Sequence, residues 1–328
     1  MSKIIRHGHL RVSDSKLSQD KKRDCEEGDV SSGGKKDEED FNMTDLMVED
    51  RTIVARDVTE EEREFFYEHG WVKLPQLISA ADAELLRSEA ERLMLGEGEL
   101  KSNISRVGNT ADKGLRSHQM AQFHIYNEPS KVSEPFKRIY DSRSLGHVAA
   151  RLMSNPYTGP RKARRIGNTL FVKGRQASTG SGSTGWHQDR PYFPFDRESM
   201  VMLWLALAPV SPEMGSLRFI DRGHRLGMMG RYSHVEDQDM VDAYPGIEKE
   251  CGVSPPLHLN AGDATIHDAL TPHSAGPNLT DNVRWGLAMT YFPSDALYTG
   301  APHRSFDGLG LTINEPFDHP SFPIMGEL

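Results

Sequence analysis

Residues 183–195 read STGWHQDRPYFPF and place two metal-competent side chains, His187 and Asp189, one residue apart. On an extended strand residues i and i+2 share a face, so imidazole and carboxylate would enter one space while Gln188 points away. One imidazole and one carboxylate make two-thirds of a 2-His-1-carboxylate facial triad, the donor set that leaves open positions on Fe(II). Alone the pair is weak evidence. With 14 histidines and 48 acids in the chain such a spacing arises by chance, and a surface histidine beside a solvated aspartate is the plain alternative.

The stretch GDATIHDALTPHSAGPNLTDNVRWGLAMTYF, residues 262–292, supplies the rest. It offers His273 as a third ligand, with His267 as a rival, and Arg284 inside an apolar strand-like run. A guanidinium in such a run requires an anionic partner, because an unpaired buried charge is costly. A dicarboxylic keto acid held by the metal would supply that anion, and a planar guanidinium grips a carboxylate with two parallel bonds. Alternation through Val283–Phe292 puts Arg284, Gly286, Ala288 and Thr290 on one face and Trp285, Leu287, Met289 and Tyr291 on the other. Small residues beside Arg284 leave room for a cosubstrate inside a barrel, and the bulky face packs outward on helices.

Together WHQD at 186–189, LWLALAPVSPEMGSLRFIDRGHRLG at 203–227 and GDATIHDALTPHSAGPN followed by Arg284 resemble, in order and spacing, the phytanoyl-CoA dioxygenase (PhyH) family of Fe(II)/2-oxoglutarate dioxygenases. The resemblance spans roughly residues 58–305. It implies a mainly β fold with flanking helices, a double-stranded β-helix (jelly-roll, cupin-like) barrel. It implies Fe(II) on His187, Asp189 and His273, preferred over His267 for its motif context and its offset to Arg284. It also implies 2-oxoglutarate against Arg284, with Trp204 bordering the keto acid and Thr169 in the cosubstrate pocket. The activity implied is hydroxylation of a small-molecule C–H bond by O2, releasing succinate and CO2. Desaturation, epoxidation or cyclisation use the same chemistry. Two departures stand out: Asp221, Arg222, Gly223 and His224 replace a common PGSH, and Ala275 replaces a serine two places after the distal histidine. The second removes one hydroxyl contact to 2-oxoglutarate.

The net charge of −9 argues against a nucleic-acid partner, which calls for a basic patch. Cys25 and Cys251 are too few for a disulfide framework and fit a reducing compartment. No apolar run reaches the length of a membrane span and no signal-peptide core opens the chain. The expectation is a cytoplasmic enzyme, monomeric or weakly self-associating. Residues 1–55, rich in Lys, Asp, Glu, Ser and Gly, read as a disordered tail, a docking or targeting segment being the alternative. Residues 56–328 read as a single PhyH-like domain.

Thr59 with Glu60, Glu61 and Glu62 marks a helix start and Gly70 its end, before a short strand at Trp71–Leu74. Ser79 caps a second helix whose stripe of Ala83, Leu86, Ala90, Leu93 and Met94 is core. The polar stretch 97–131, with Asn103, Arg106, Asn109, Arg116, His118 and His124, reads as a loop, either solvated or at the pocket rim. A helix over 144–154 and strands over 168–173, 200–208, 216–220 and 264–267 follow, with 228–256 as an insertion over the barrel mouth. The segment GRQASTGSGSTG lacks the Gly-Lys-Ser/Thr of a phosphate loop and opens no helix. The tail past 305 carries no legible chemistry. Two other classes compete: a barrel using Zn(II) as Lewis acid on the same ligands, which leaves Arg284 without a partner, and an inactive binding protein, against which an intact triad argues.

Overall fold

The computed structural model describes residues 52–95, 104–107, 123–175, 182–232 and 239–327. Residues 51–328 form one compact unit. The tail expected over 1–55 lies outside the described residues as far as 51, and Ile53 and Ala55 are already buried.

Thr59 opens α1 (Glu60–His69) with a reciprocal cap: its hydroxyl accepts from the Glu62 amide, and the Glu62 carboxylate accepts from the Thr59 amide. Two otherwise orphaned donors are satisfied, and three glutamates face the positive helix end. Strand β1 (Trp71–Leu74) leads to α2 (Ala80–Leu95), whose predicted stripe is fully buried. The stretch read as a loop over 97–131 is different. It contains β2 (Ile104–Val107) and β3 (Phe123–Asn127), paired antiparallel. His124 and Asn127 among Phe123, Ile125 and Tyr126, inside a longer polar stretch, gave that segment a loop-like composition. His124 is buried there; Asn103, Asn109, Arg116 and His118 lie outside the described residues, as does the Arg106 side chain.

Next come α3 (Glu134–Tyr140), α4 (Arg143–Met153) and β4 (Ala163–Lys173). After the Gly/Ser segment, of which 176–181 lie outside the described residues, come β5 (Thr184–His187), β6 (Val201–Ala206) and β7 (Leu217–Phe219). The chain continues through α5 (Met240–Ala243), α6 (Ile247–Cys251), β8 (Ala264–Asp268), β9 (His273–Ala275), β10 (Arg284–Pro293) and β11 (Ile324–Gly326). The major sheet runs β1-β8-β6-β10-β4-β3-β2, with β11 added on β4, and the minor sheet runs β5-β9-β7. Every strand pair is antiparallel, and the two sheets make the jelly-roll.

Parity decides what each face of the major sheet does. Trp285, Leu287, Met289 and Tyr291 join Leu203, Leu205, Leu170 and Val172 in the core beneath the helices, with Leu86, Leu93, Phe136 and Val148. The opposite face carries Arg284, Gly286 and Ala288 beside Trp204, Phe171 and Thr169, the arrangement the alternation predicted. The tail past 305 has a structural role that sequence reading missed. Phe306, Phe317 and Phe322 build a second core with Phe195 and Phe292, and β11 extends the sheet. Their spacing follows neither helix nor strand period, so no pattern announced them. The described part of the 228–256 insertion braces β5: Met229, Met240 and Ile247 pack on Trp186, and Asp239 accepts the Trp186 amide at 3.1 Å.

Candidate metal centre and adjoining pocket

His187 is the last residue of β5, whereas Asp189 sits at φ −79°, ψ −34° and starts a 3-10 turn over Arg190–Tyr192. The two therefore do not share a strand face, as simple alternation predicted. A turn with Pro191 at its start swings the carboxylate back under the imidazole, 3.8 Å from Asp189 Oδ1 to His187 Nε2. Gln188 does point away. Its amide donates to the carbonyls of Gly227 (2.8 Å) and Leu270 (2.6 Å) and accepts from the Met229 N–H (2.7 Å), which locks the turn.

Strand β9 lies between β5 and β7 and sets His273 directly opposite His187, the rings 4.2 Å apart. His273 Nε2 is 3.6 Å from Asp189 Oδ2, and one ligand atom from each of the three residues falls within 4.8 Å of the others. Both imidazoles give their Nδ1 proton to a carbonyl two residues upstream, His187 to Gly185 (2.8 Å) and His273 to Thr271 (3.1 Å). That fixes the tautomer with the Nε2 lone pairs facing the centre. His267, the rival ligand, donates Nε2–H to Asp189 Oδ2 at 3.1 Å and so orients the carboxylate. Its own Nδ1 is buried without a hydrogen-bond partner among the described residues.

Burial, then the neighbouring His273, lowers His187 to about 4, so its ring is neutral at neutral pH. Burial opposes ionisation of Asp189, but His273, His267 and His187 outweigh it and hold the carboxyl well below its usual range. Neutral imidazoles and an ionised carboxylate are the protonation states a metal requires. Two lone pairs and a carboxylate converging in a buried space repel one another until a cation sits among them. The donor set, two nitrogens and one oxygen with an open side, suits iron.

The face of the major sheet that carries Arg284 is as unusual. Arg284 is 2% exposed; its Nη1 donates to the Gly215 carbonyl and its Nε has no partner. Among the described residues no carboxylate pairs with it, and burial lowers its pKa to about 9. The guanidinium carbon lies 5.2 Å from the Trp204 ring, and Thr169 stands across from Ala288 on the same face. Gly286 admits the indole: a Cβ there would lie 2.1 Å from Trp204. Gly286→Ala should therefore displace Trp204 and cost about 1–3 kcal/mol, read as a lower urea midpoint at unchanged slope. At Gly215, φ 73°, a Cβ would lie 2.1 Å from the Gly276 carbonyl, so glycine lets the two chains cross beneath Arg284.

Sequence reasoning missed Lys173. Directly opposite Arg284 in the β10–β4 ladder, it is buried at 2% exposure. The signal was the alternation Thr169, Phe171, Lys173, which puts all three on the face that carries Arg284. Asn278 pins that strand end, donating to the carbonyls of Lys173 (3.3 Å) and Gly174 (3.0 Å).

A jelly-roll holding a His-Asp-His cluster and a buried arginine without an acidic partner among the described residues defines the class of non-haem metal-dependent barrels. Within it, the sequence profile of the phytanoyl-CoA dioxygenase (PhyH) family matches residues 66–286, and the chain belongs to that family. It is 22% identical over 263 residues to the peroxisomal phytanoyl-CoA dioxygenase of Rattus norvegicus, covering 78% of this chain and 74% of that one. It is 21% identical over 238 residues to a methylphosphonate hydroxylase of Gimesia maris, covering 71% of this chain and 80% of that one. Among solved structures, the epimerase SnoN in complex with Fe3+, alpha ketoglutarate and nogalamycin RO superposes with a TM-score of 0.62 at 22% identity, over 81% of this chain and 98% of that one. No helix among the described residues is long and apolar enough to cross a membrane.

Proposed function

We propose that this chain is an Fe(II)- and 2-oxoglutarate-dependent oxygenase that hydroxylates a C–H bond of a small molecule, releasing succinate and CO2. The observation that carries the reading is the pairing of a His187–Asp189–His273 cluster, its two imidazoles buried, with a buried arginine lacking any acidic partner among the described residues. The cluster asks for a cation and the arginine for an anion. A zinc-dependent Lewis-acid enzyme on the same ligands answers only the first demand.

Bound iron supplies oxygen activation coupled to oxidative decarboxylation of the keto acid. The chain supplies placement. His187 and His273 present Nε2 because their Nδ1 protons are held by Gly185 and Thr271. His267 keeps one Asp189 oxygen engaged, so the other is oriented by default. Arg284 receives the distal carboxylate of 2-oxoglutarate, Trp204 covers the keto acid, and Thr169 borders the same pocket. Burial of His187 and His273, with Asp189 half-buried between them, limits water at the reacting centre. The carboxylate at Asp189 argues against halogenation, which needs that position open for halide. A second outcome, epimerisation, is the one named for SnoN.

The test is succinate release by anaerobically iron-loaded protein given 2-oxoglutarate and then oxygen, across a panel of small metabolites. Substrate-stimulated succinate is the expected result, with a product heavier by one oxygen atom. No succinate with any substrate, coupled or uncoupled, would return the protein to the zinc or binding-protein readings.

A further inference from the structure

Arg284 alone suffices for one distal carboxylate, yet the same face of the major sheet holds two buried cations. Lys173 stands opposite Arg284 in the antiparallel ladder, where facing Cβ atoms lie about 5 Å apart. Both are 2% exposed, and neither meets a carboxylate among the described residues. Two adjacent desolvated cations repel each other, a cost the fold would shed by replacing either with an apolar residue unless an anion visits. Burial and the neighbouring Arg284 both push the Lys173 ammonium well below its ordinary value.

The position of the ammonium says what that anion touches. Lys173 Nζ donates to the Ala275 carbonyl at 3.3 Å and to the Gly276 carbonyl, and lies 5.3 Å from the Phe123 ring. An ammonium has three donors, and two go to carbonyls, so one remains. Ala275 lies two residues beyond His273 on β9, about 7 Å along the strand and comparable to the reach of a five-carbon diacid bound at the metal end.

We propose that Lys173 is a second anchor for the distal carboxylate of 2-oxoglutarate, closing a two-cation clamp with Arg284. This rests on the function proposed above. A purely structural Lys173 would instead serve only to hold Ala275 and Gly276, and through them His273.

The experiment compares 2-oxoglutarate with 2-oxopentanoate, which chelates identically but ends in a methyl group. Each is titrated into anaerobic Fe(II)-loaded protein and followed by the visible charge-transfer band of the complex. In Lys173→Met, 2-oxoglutarate affinity should fall about 10- to 100-fold, the worth of a hydrogen bond to a charged group, while 2-oxopentanoate affinity and Fe(II) retention stay within a factor of about three. An equal fall for both acids, or no fall for either, overturns the clamp. Lys173→Gln, which keeps a donor for the carbonyls, enters the same comparison should the methionine variant lose iron; an undiminished preference for 2-oxoglutarate there also overturns it. Wild-type protein that binds neither acid would remove the 2-oxoglutarate reading itself, an outcome distinct from the failure of Lys173 alone.

Discussion

His187→Ala should leave a folded protein that no longer retains iron and makes no succinate. Removing a residue that merely orients a ligand costs roughly 10- to 100-fold in metal affinity. Loss of a ligand itself should exceed that, so retention should fall by more than about 100-fold. The apo fold should survive, because the site repels its own donors and the sheet partners of His187 are backbone groups. Metal content after anaerobic gel filtration, read beside the far-UV spectrum, checks both halves. The same substitution at His267 separates the two histidines near Asp189. As an orienting group it should cost only the roughly 10- to 100-fold range, with measurable turnover left. Equal losses for His187 and His267 would mean that the metal has been assigned the wrong nitrogen.

That comparison bears on what was legible in the chain. His187, Asp189 and His273 were readable because few residue types bind iron and their order is tied to strands. The route was partly wrong: Asp189 reaches His187 by a 3-10 turn, and side-chain alternation gave the same convergence only because the turn closes through Pro191. Alternation did work for β10, where Arg284, Gly286 and Ala288 share the pocket face. It works there because both faces of that strand are buried and each must match a different environment. It failed for β2 and β3, whose polar residues hid their period, and for Phe306, Phe317 and Phe322, whose contacts are set by tertiary packing without regular structure. Lys173 was legible by the same parity as Arg284, each standing at one end of an apolar run, Leu170–Val172 before the lysine and Trp285–Met289 after the arginine.

Arg284→Met should move two quantities in opposite directions. Taking one partner from a buried ion pair costs about 3–5 kcal/mol, so the 2-oxoglutarate requirement should rise about 100- to 4,000-fold. Lys173, still on the same face of the sheet, should keep the change toward the lower end. Without cosubstrate the sign reverses. The apo protein buries Arg284 beside another cation, with one bond to Gly215 and an unpartnered Nε, so an apolar side chain of similar length removes a standing cost. Replacing buried charge by packed apolar groups is often stabilising by about 1–4 kcal/mol. The variant's apo form should therefore unfold at higher urea than the parent, and added 2-oxoglutarate should raise the parent's midpoint but scarcely move the variant's. The crossing of those two curves is the signature of a residue kept for an anion. A variant less stable than the parent in both conditions would make Arg284 a structural tie to Gly215, and the anion site would then have to be sought elsewhere in the barrel.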